Sequence, residues 1–366
     1  MKPLYHKFSR SEYDEKGVLC RFAVECPEHF NFAYDVVDAI AEEEPEKTAL
    51  VWCNAEGEEK ILSFARLSEL SSRAANYLAS SGIGRGDRVM LMLKRHFEYW
   101  YLLLALHKLG AVAVPATHML KKNDIVYRLG TAGISAVICA EDEEITENIL
   151  AAARVCPELT GLFCVRRNRT GFRRIDVEMM AESPKLTRVE TVSTEPFMLY
   201  FTSGTTGEPK PVLHDYAYPL AHIVTAKDWQ GVRDGGLHLS VADTGWGKAS
   251  WGKIYGQWLC GAAVMVYDYD RFSARELLKV LKKYRVTSFC APPTVYRLLM
   301  KSGLYQSDFC GVEQVTTAGE AMNPELIHRF RHDTGLTIRE GYGQTETTML
   351  VGTLVGSCLL YTSRCV

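Results

Sequence analysis

The sequence lacks several features that would assign its class at a glance. It contains no C-x-x-C pair and no cysteine–histidine cluster at zinc spacing, which argues against a thiol-ligated structural metal. Its eleven cysteines are odd in number and scattered, and Cys139, Cys164, Cys260 and Cys290 lie in apolar runs. Buried reduced thiols are therefore expected rather than a disulfide framework. Excess charge of either sign is also missing. A net charge of −2 gives no broad attraction to nucleic acid or to an anionic membrane, so neither is expected as a partner. The most apolar stretch, Tyr99 to Ala116, is interrupted by His107 and Lys108 and is too short to span a bilayer. Residues 1–10 carry charge without the apolar centre of a secretory signal, and the expected location is cytoplasmic. Repeats, low-complexity segments and heptads are absent.

What remains is an ordinary globular composition, 47% hydrophobic and 23% charged, in 366 residues, enough chain for about two domains. Residues 1–30 show no period and read as an arm over the surface. Asn31 to Glu44 has helical spacing, and Ala49 to Cys53 reads as a strand turning back through Ile61. Ser63 opens a helix that Gly82 ends. Strands are then expected at 88–93, 111–114, 135–140 and 162–165. Helices alternate with them at 96–109, 124–131 (capped by Asn123) and 144–155. Residues 166–194 are polar and irregular, the internal boundary. Further on, strands at 263–267, 286–291, 315–318 and 337–340 alternate with helices. Ser273 with Glu276 caps one helix, Pro292-Pro293 starts the next, and Asn323-Pro324 and Gly335 bracket the last. Strands separated by single helices imply an α/β fold with parallel-rich sheets and helices on both faces.

Ligands on such sheets gather at the C-terminal ends of the strands. Three strand ends carry unusual residues. The run Pro196 to Phe201 empties into Thr202-Ser203-Gly204-Thr205-Thr206-Gly207-Glu208-Pro209-Lys210. Glycines let backbone N–H groups crowd around an anion, hydroxyls add donors, and Lys210 adds a mobile positive charge. Such a loop suits the β- and γ-phosphates of a nucleotide, although its G-x-x-G-x-x-K spacing is not that of the common P-loop. Composition alone fits an ordinary surface turn equally well. The second end is Thr317-Ala318 into Gly319-Glu320-Ala321. The third is Gly341-Tyr342-Gly343-Gln344-Thr345-Glu346-Thr347, where a tyrosine between glycines has room to lay its ring on a flat base. Glu346 there offers a hard oxygen for Mg²⁺.

The order T-S-G-T-T-G-x-P-K resembles the phosphate loop of the adenylate-forming enzymes, which include acyl-CoA synthetases, luciferases and amino-acid adenylation domains. Residues 341–347 resemble the second diagnostic motif of that family, and Asp243-Thr244-Gly245-Trp246-Gly247 its D-x-G-W segment. Phe30 to Asp35, Arg85 to Val89 and Lys122 to Leu129 resemble the medium-chain acyl-CoA synthetases in particular, and resemblance covers roughly residues 25–352. It implies ATP, Mg²⁺ and coenzyme A as cofactors and a small carboxylic acid as substrate. Residues 202–210 would hold the β- and γ-phosphates, with Lys210 catalytic. Thr345 would hold the α-phosphate, Glu346 the metal, and Tyr342, with Gly341, Gly343 and Gln344, the adenine. Gly319, Glu320 and Ala321 would border the adenine, with Gly319, Trp246 and Gly247 facing the acyl group. An amino-acid or aryl-acid adenylating enzyme, or a nucleotide-binding protein without turnover, are the alternatives.

The family pattern continues past residue 352 with a Y-x-T-G-D motif, a hinge and a small C-terminal domain, none of which this sequence contains. Residues 355–366 do not resemble the family. The expected organisation is an arm (1–30), two α/β subdomains (31–185 and 186–352) and an aberrant tail (353–366), with little or no activity in this chain alone.

Overall fold

The computed structural model describes residues 2–203 and 207–357. In chain order the strands are β1 (Ser9–Tyr13), β2 (Leu19–Val24), β3 (Thr48–Asn54), β4 (Glu59–Ser63), β5 (Arg88–Met92), β6 (Val112–Pro115), β7 (Ala136–Cys139) and β8 (Gly161–Cys164). They continue with β9 (Arg173–Arg174), β10 (Pro196–Thr202), β11 (Lys210–Asp215), β12 (Leu237–Ser240), β13 (Ala263–Asp268), β14 (Ser288–Cys290), β15 (Gln314–Ala318), β16 (Ile338–Gly343) and β17 (Met349–Gly352). One sheet has the order β11-β10-β6-β5-β7-β8-β9, and the other β17-β16-β15-β14-β12-β13-β3-β4. Both are parallel in their interior, with antiparallel hairpins at the edges: β10/β11 on the first, β3/β4 and β16/β17 on the second. This is the α/β architecture expected of strands alternating with single helices.

The strands of the two sheets interleave across residue 185, where the sequence suggested a boundary. β10 and β11 join the first sheet through β6, while β3 and β4 join the second through β13. The largest apolar cluster combines Leu50, Trp52, Val264 and Val266 from one sheet with Val89, Leu91, Ala113 and Phe197 from the other, so the two share a core. Every residue of the helix Glu98–Leu109 is buried in that core, including its charged ends. Arg166 binds Glu98 through two bonds of 2.9 and 3.1 Å, and Lys108 Nζ reaches Asp38 at 2.8 Å and Ser72 Oγ at 2.9 Å. These pairings are what allow charge inside a segment that otherwise reads as continuous hydrophobic sequence.

Local signals placed most helices. The Ser273 hydroxyl accepts the Glu276 N–H at 3.4 Å, Asn323 Oδ1 accepts the Glu325 N–H at 2.9 Å, and Gly335 ends its helix at φ +76°. The helix Lys122–Ala132 corrects one expectation. Its cap is Lys121 rather than Asn123, because the Asp124 carboxylate accepts the Lys121 N–H at 3.1 Å. Within residues 1–30, read as an arm from the sequence, β1 and β2 form a hairpin and Phe8 packs edge-on to Phe30. Asn31 to Glu44 winds as a π-helical turn at Ala33–Asp38 before the α-helix Ala39–Glu43. Among the described residues no helix is long and apolar enough to cross a membrane, and the nine described cysteines are free thiols.

Candidate nucleotide site

The three strand ends singled out above lie on different sheets, and the site forms where those sheets meet. On the first sheet, β10 and β11 make a hairpin in which Thr202 and Lys210 face each other across the ladder. Ser203 and Gly207 flank the loop tip, Gly207 with φ +100° and open space around its Cα. Gly204, Thr205 and Thr206 lie outside the described residues. The helix Lys122–Ala132 supports the hairpin from outside. The Tyr127 hydroxyl donates to the Pro209 carbonyl at 3.0 Å, and the Arg128 guanidinium sits 5.1 Å from the Phe201 ring centre.

On the second sheet, Ala318 pairs with Gly341, which brings the ends of β15 and β16 side by side. Gly319 follows at φ +110°, a conformation that favours glycine. The Glu320 carboxylate lies 3.4 Å from Arg297, and the Glu340 carboxylate accepts the Met322 N–H at 2.9 Å. Gly319, Glu320 and Ala321 are exposed at this strand end. Tyr342 is 55% exposed, its ring accessible, while its backbone is held in the ladder opposite Val351.

The glycines beside it are fixed by neighbours. A Cβ on Gly341 would come within 2.6 Å of the Trp229 ring, and one on Gly343 would overlap Trp251 and the Thr348 carbonyl. Gln344 and Thr347 close the following turn, the Gln344 N–H donating to Thr347 Oγ1 at 3.0 Å.

One hydrogen bond ties this turn to the first sheet, and one contact packs it within the second. His214, four residues into β11 from Lys210, holds its Nε2 2.8 Å from the Thr345 carbonyl. Gly247 lies under the Thr345 methyl, where a Cβ would approach to 3.3 Å. Lys210 is thus about 13 Å of strand from the residue that touches Thr345, a span that a nucleotide's phosphates and the lysine's own length can bridge. Glu346 is exposed beside Thr345, and its charge is felt at His214. The carboxylate fits a cation whose other ligands come from phosphate oxygens and water, the coordination Mg²⁺ prefers. Elsewhere among the described residues, His96, Glu141 and Asp142 are grouped closely enough to hold a metal, but His96 uses one ring nitrogen on Asp268 (3.0 Å) and the other on Glu141 (3.2 Å).

Trp246 is 54% exposed in the Asp243–Gly247 loop, whose turn is set by Asp243 Oδ1 accepting the Gly245 N–H at 3.0 Å. Gly245 presses against the backbone of Ala116 and Thr117 just past β6, another tie between sheets. One residue here escaped sequence reasoning. Lys248 opens the short helix Lys248–Gly252 and donates through Nζ to the Ala318 carbonyl. Burial holds its ammonium below the ordinary lysine range. Its neighbourhood to the D-x-G-W segment was the available signal, but nothing in the local pattern showed that it turns inward.

Comparison with known proteins identifies the family of the chain and its relatives. The model of the family described as "AMP-binding enzyme" matches residues 37–363. The human mitochondrial acyl-coenzyme A synthetase ACSM3 is 35% identical over 343 residues, covering 92% of this chain and 58% of that protein. Human mitochondrial acyl-coenzyme A synthetase ACSM4 is 36% identical over 332 residues, covering 88% and 57%. The chain therefore spans somewhat over half the length of these curated relatives. A crystal structure of Brucella canis acyl-CoA synthetase aligns with a TM-score of 0.81 at 26% identity, covering 90% of this chain and 60% of that one. The anthranilate CoA ligase AuaEII, solved with anthranoyl-AMP, shares the fold with a TM-score of 0.82 at 22% identity, over 90% and 62%. The expectation of a cytoplasmic protein is overturned, since these curated relatives are mitochondrial. The absence of a secretory-type apolar segment could not decide this, because organelle targeting relies on amphipathic, Arg-rich segments rather than apolar ones.

Proposed function

The chain belongs to the AMP-binding enzyme family, and we propose that it is the nucleotide-binding portion of an AMP-forming acyl-CoA synthetase sharing the mitochondrial location of its relatives. A carboxylate is a poor electrophile. Its oxygen attacks the α-phosphorus of ATP, the bond to the β-phosphate oxygen breaks, and pyrophosphate leaves with that electron pair. The thiolate of coenzyme A then attacks the acyl carbon of the mixed anhydride, and AMP departs. The nucleophile and phosphates of the first step are all anionic, so catalysis rests on alignment and charge neutralisation.

Each role falls to a residue with suitable chemistry. Lys210 and the hydroxyls and amides of residues 202–207 neutralise the β- and γ-phosphates. Thr345 binds the α-phosphate, Glu346 would hold Mg²⁺, which would supply positive charge against the phosphates, and Tyr342 stacks on adenine beside the backbone of 319–321. Trp246, Gly247 and Gly319 border the acyl group. The observation that carries this reading is the contact between the two sheets at Thr345 through His214, which brings the β10/β11 hairpin to the turn that follows β16.

The test is calorimetric titration of MgATP into this chain. Saturable one-site binding is expected, weakened at least fivefold by Lys210→Ala with no loss of thermal stability. That corresponds to roughly 1 kcal/mol, appropriate to one partly solvated charge contact. Absence of saturable binding would overturn the reading.

A further inference from the structure

We propose that His214 is a positioning residue for nucleotide binding: its ring, set in the phosphate hairpin, fixes the Thr345 turn of the other sheet in its phosphate-gripping geometry. The inference deepens the nucleotide reading above and rests on it. The geometry is specific. A carbonyl oxygen can only accept, so His214 Nε2 carries the hydrogen in the 2.8 Å bond to Thr345. The ring is held from the side by Tyr218, stacked with centroids 3.9 Å apart, and by Tyr200, edge-on at 6.2 Å. With 9% of its surface exposed, the imidazole has little freedom to leave this orientation.

Thr345 needs such a fixture. The hydrogen bonds within residues 344–348 close the turn on itself, Gln344 to Thr347 and Thr347 to Thr348. Among the described hydrogen bonds, the one from His214 ties this turn to the first sheet. Engaging the Thr345 carbonyl from below, with Gly247 against its methyl, limits how the peptide can rotate and therefore where the hydroxyl and N–H point. Phosphate contacts lose strength steeply when a donor is misaimed. Tyr342, by contrast, is fixed by its own ladder pairing with Val351 and does not depend on His214. A split by ligand follows: loss of the imidazole should weaken binding of phosphate-bearing nucleotide and leave the nucleoside unaffected.

The test measures MgATP and adenosine binding to the chain carrying His214→Leu and His214→Gln, with thermal melting of each. The expected result is a fivefold or greater rise in the MgATP dissociation constant for His214→Leu, an unchanged adenosine constant, and substantial recovery in His214→Gln, whose amide can donate to the same carbonyl. Equal weakening of both ligands by His214→Leu, or MgATP binding equal to wild type in a folded His214→Leu protein, would overturn the proposal while leaving the nucleotide reading intact. If His214→Leu does not fold, His214→Phe, which keeps a ring against Tyr218 but cannot donate to the Thr345 carbonyl, takes its place: selective loss of MgATP affinity in the folded variant supports the proposal, and MgATP binding equal to wild type overturns it. Failure of the wild-type chain to bind MgATP would sink the parent reading itself.

Discussion

Gly343 shows how tightly single positions are specified around the site. Its backbone does not require glycine for conformational reasons, as its φ is not positive, but the space above its Cα is filled by Trp251 and the Thr348 carbonyl. Gly343→Ala must therefore displace an indole ring or distort the turn that carries Thr345. Overpacking of this kind costs about 1–3 kcal/mol. The expected outcome is a lower urea midpoint together with weaker MgATP binding; unchanged values for both would show that the ring and turn yield freely. The sequence made Gly343 a candidate for room around the tyrosine, whereas its neighbours supply the real constraint. Lys248 is the complementary case. Its inward turn to the Ala318 carbonyl depends on β15, about seventy residues further along the chain by number, and no local pattern carries that information.

At the scale of elements, capped and punctuated helices were readable, because Ser273 with Glu276, Asn323 with Pro324, and Gly335 act within a few residues. The stretch from Lys210 to Cys260 was not. β11 begins on the loop lysine and carries polar residues at an edge, β12 is four residues long, and the helices Lys248–Gly252 and Tyr255–Leu259 are five residues each, too brief for a period to emerge. How elements are held together across sheets was equally hidden. His96 follows β5, Glu141 follows β7, and Asp268 ends β13, so the imidazole latches the first sheet to the second.

Burial alone would lower the His96 pKa, but hydrogen bonds to Asp268 and Glu141 more than offset it and lift it to about 9. Lys94, Arg95, Arg166, Asp142 and Asp270 lie around the same cluster. A pKa raised in the fold contributes stability that is complete below the unfolded value near 6.5 and is lost as pH rises through about 9. The difference in unfolding free energy between wild type and His96→Gln should therefore shrink between pH 6.5 and 9, by on the order of 3 kcal/mol at most. Urea unfolding at pH 6 and pH 9.5 reads this directly, and a pH-independent difference would exclude the latch.

For the whole molecule, the α/β class followed from the alternation of strands and helices, and the strand-end motifs named the candidate site. The interleaving of β3/β4 and β10/β11 between sheets did not follow, because pairings such as Met198 with Ala113 and Val264 with Leu50 are too distant along the chain to leave a local trace. That interleaving has a functional consequence. The hairpin proposed to hold the phosphates belongs to one sheet and the turn proposed to hold the adenine to the other, so a nucleotide bound between them would couple the two halves of the core. The most direct measurement is a crystal structure of this chain with MgATP. Adenine against the Tyr342 ring, the α-phosphate at Thr345 and the terminal phosphates at Lys210 in one continuous cleft is the predicted result; a nucleotide bound elsewhere, or one that reaches Tyr342 without approaching Lys210, would contradict it.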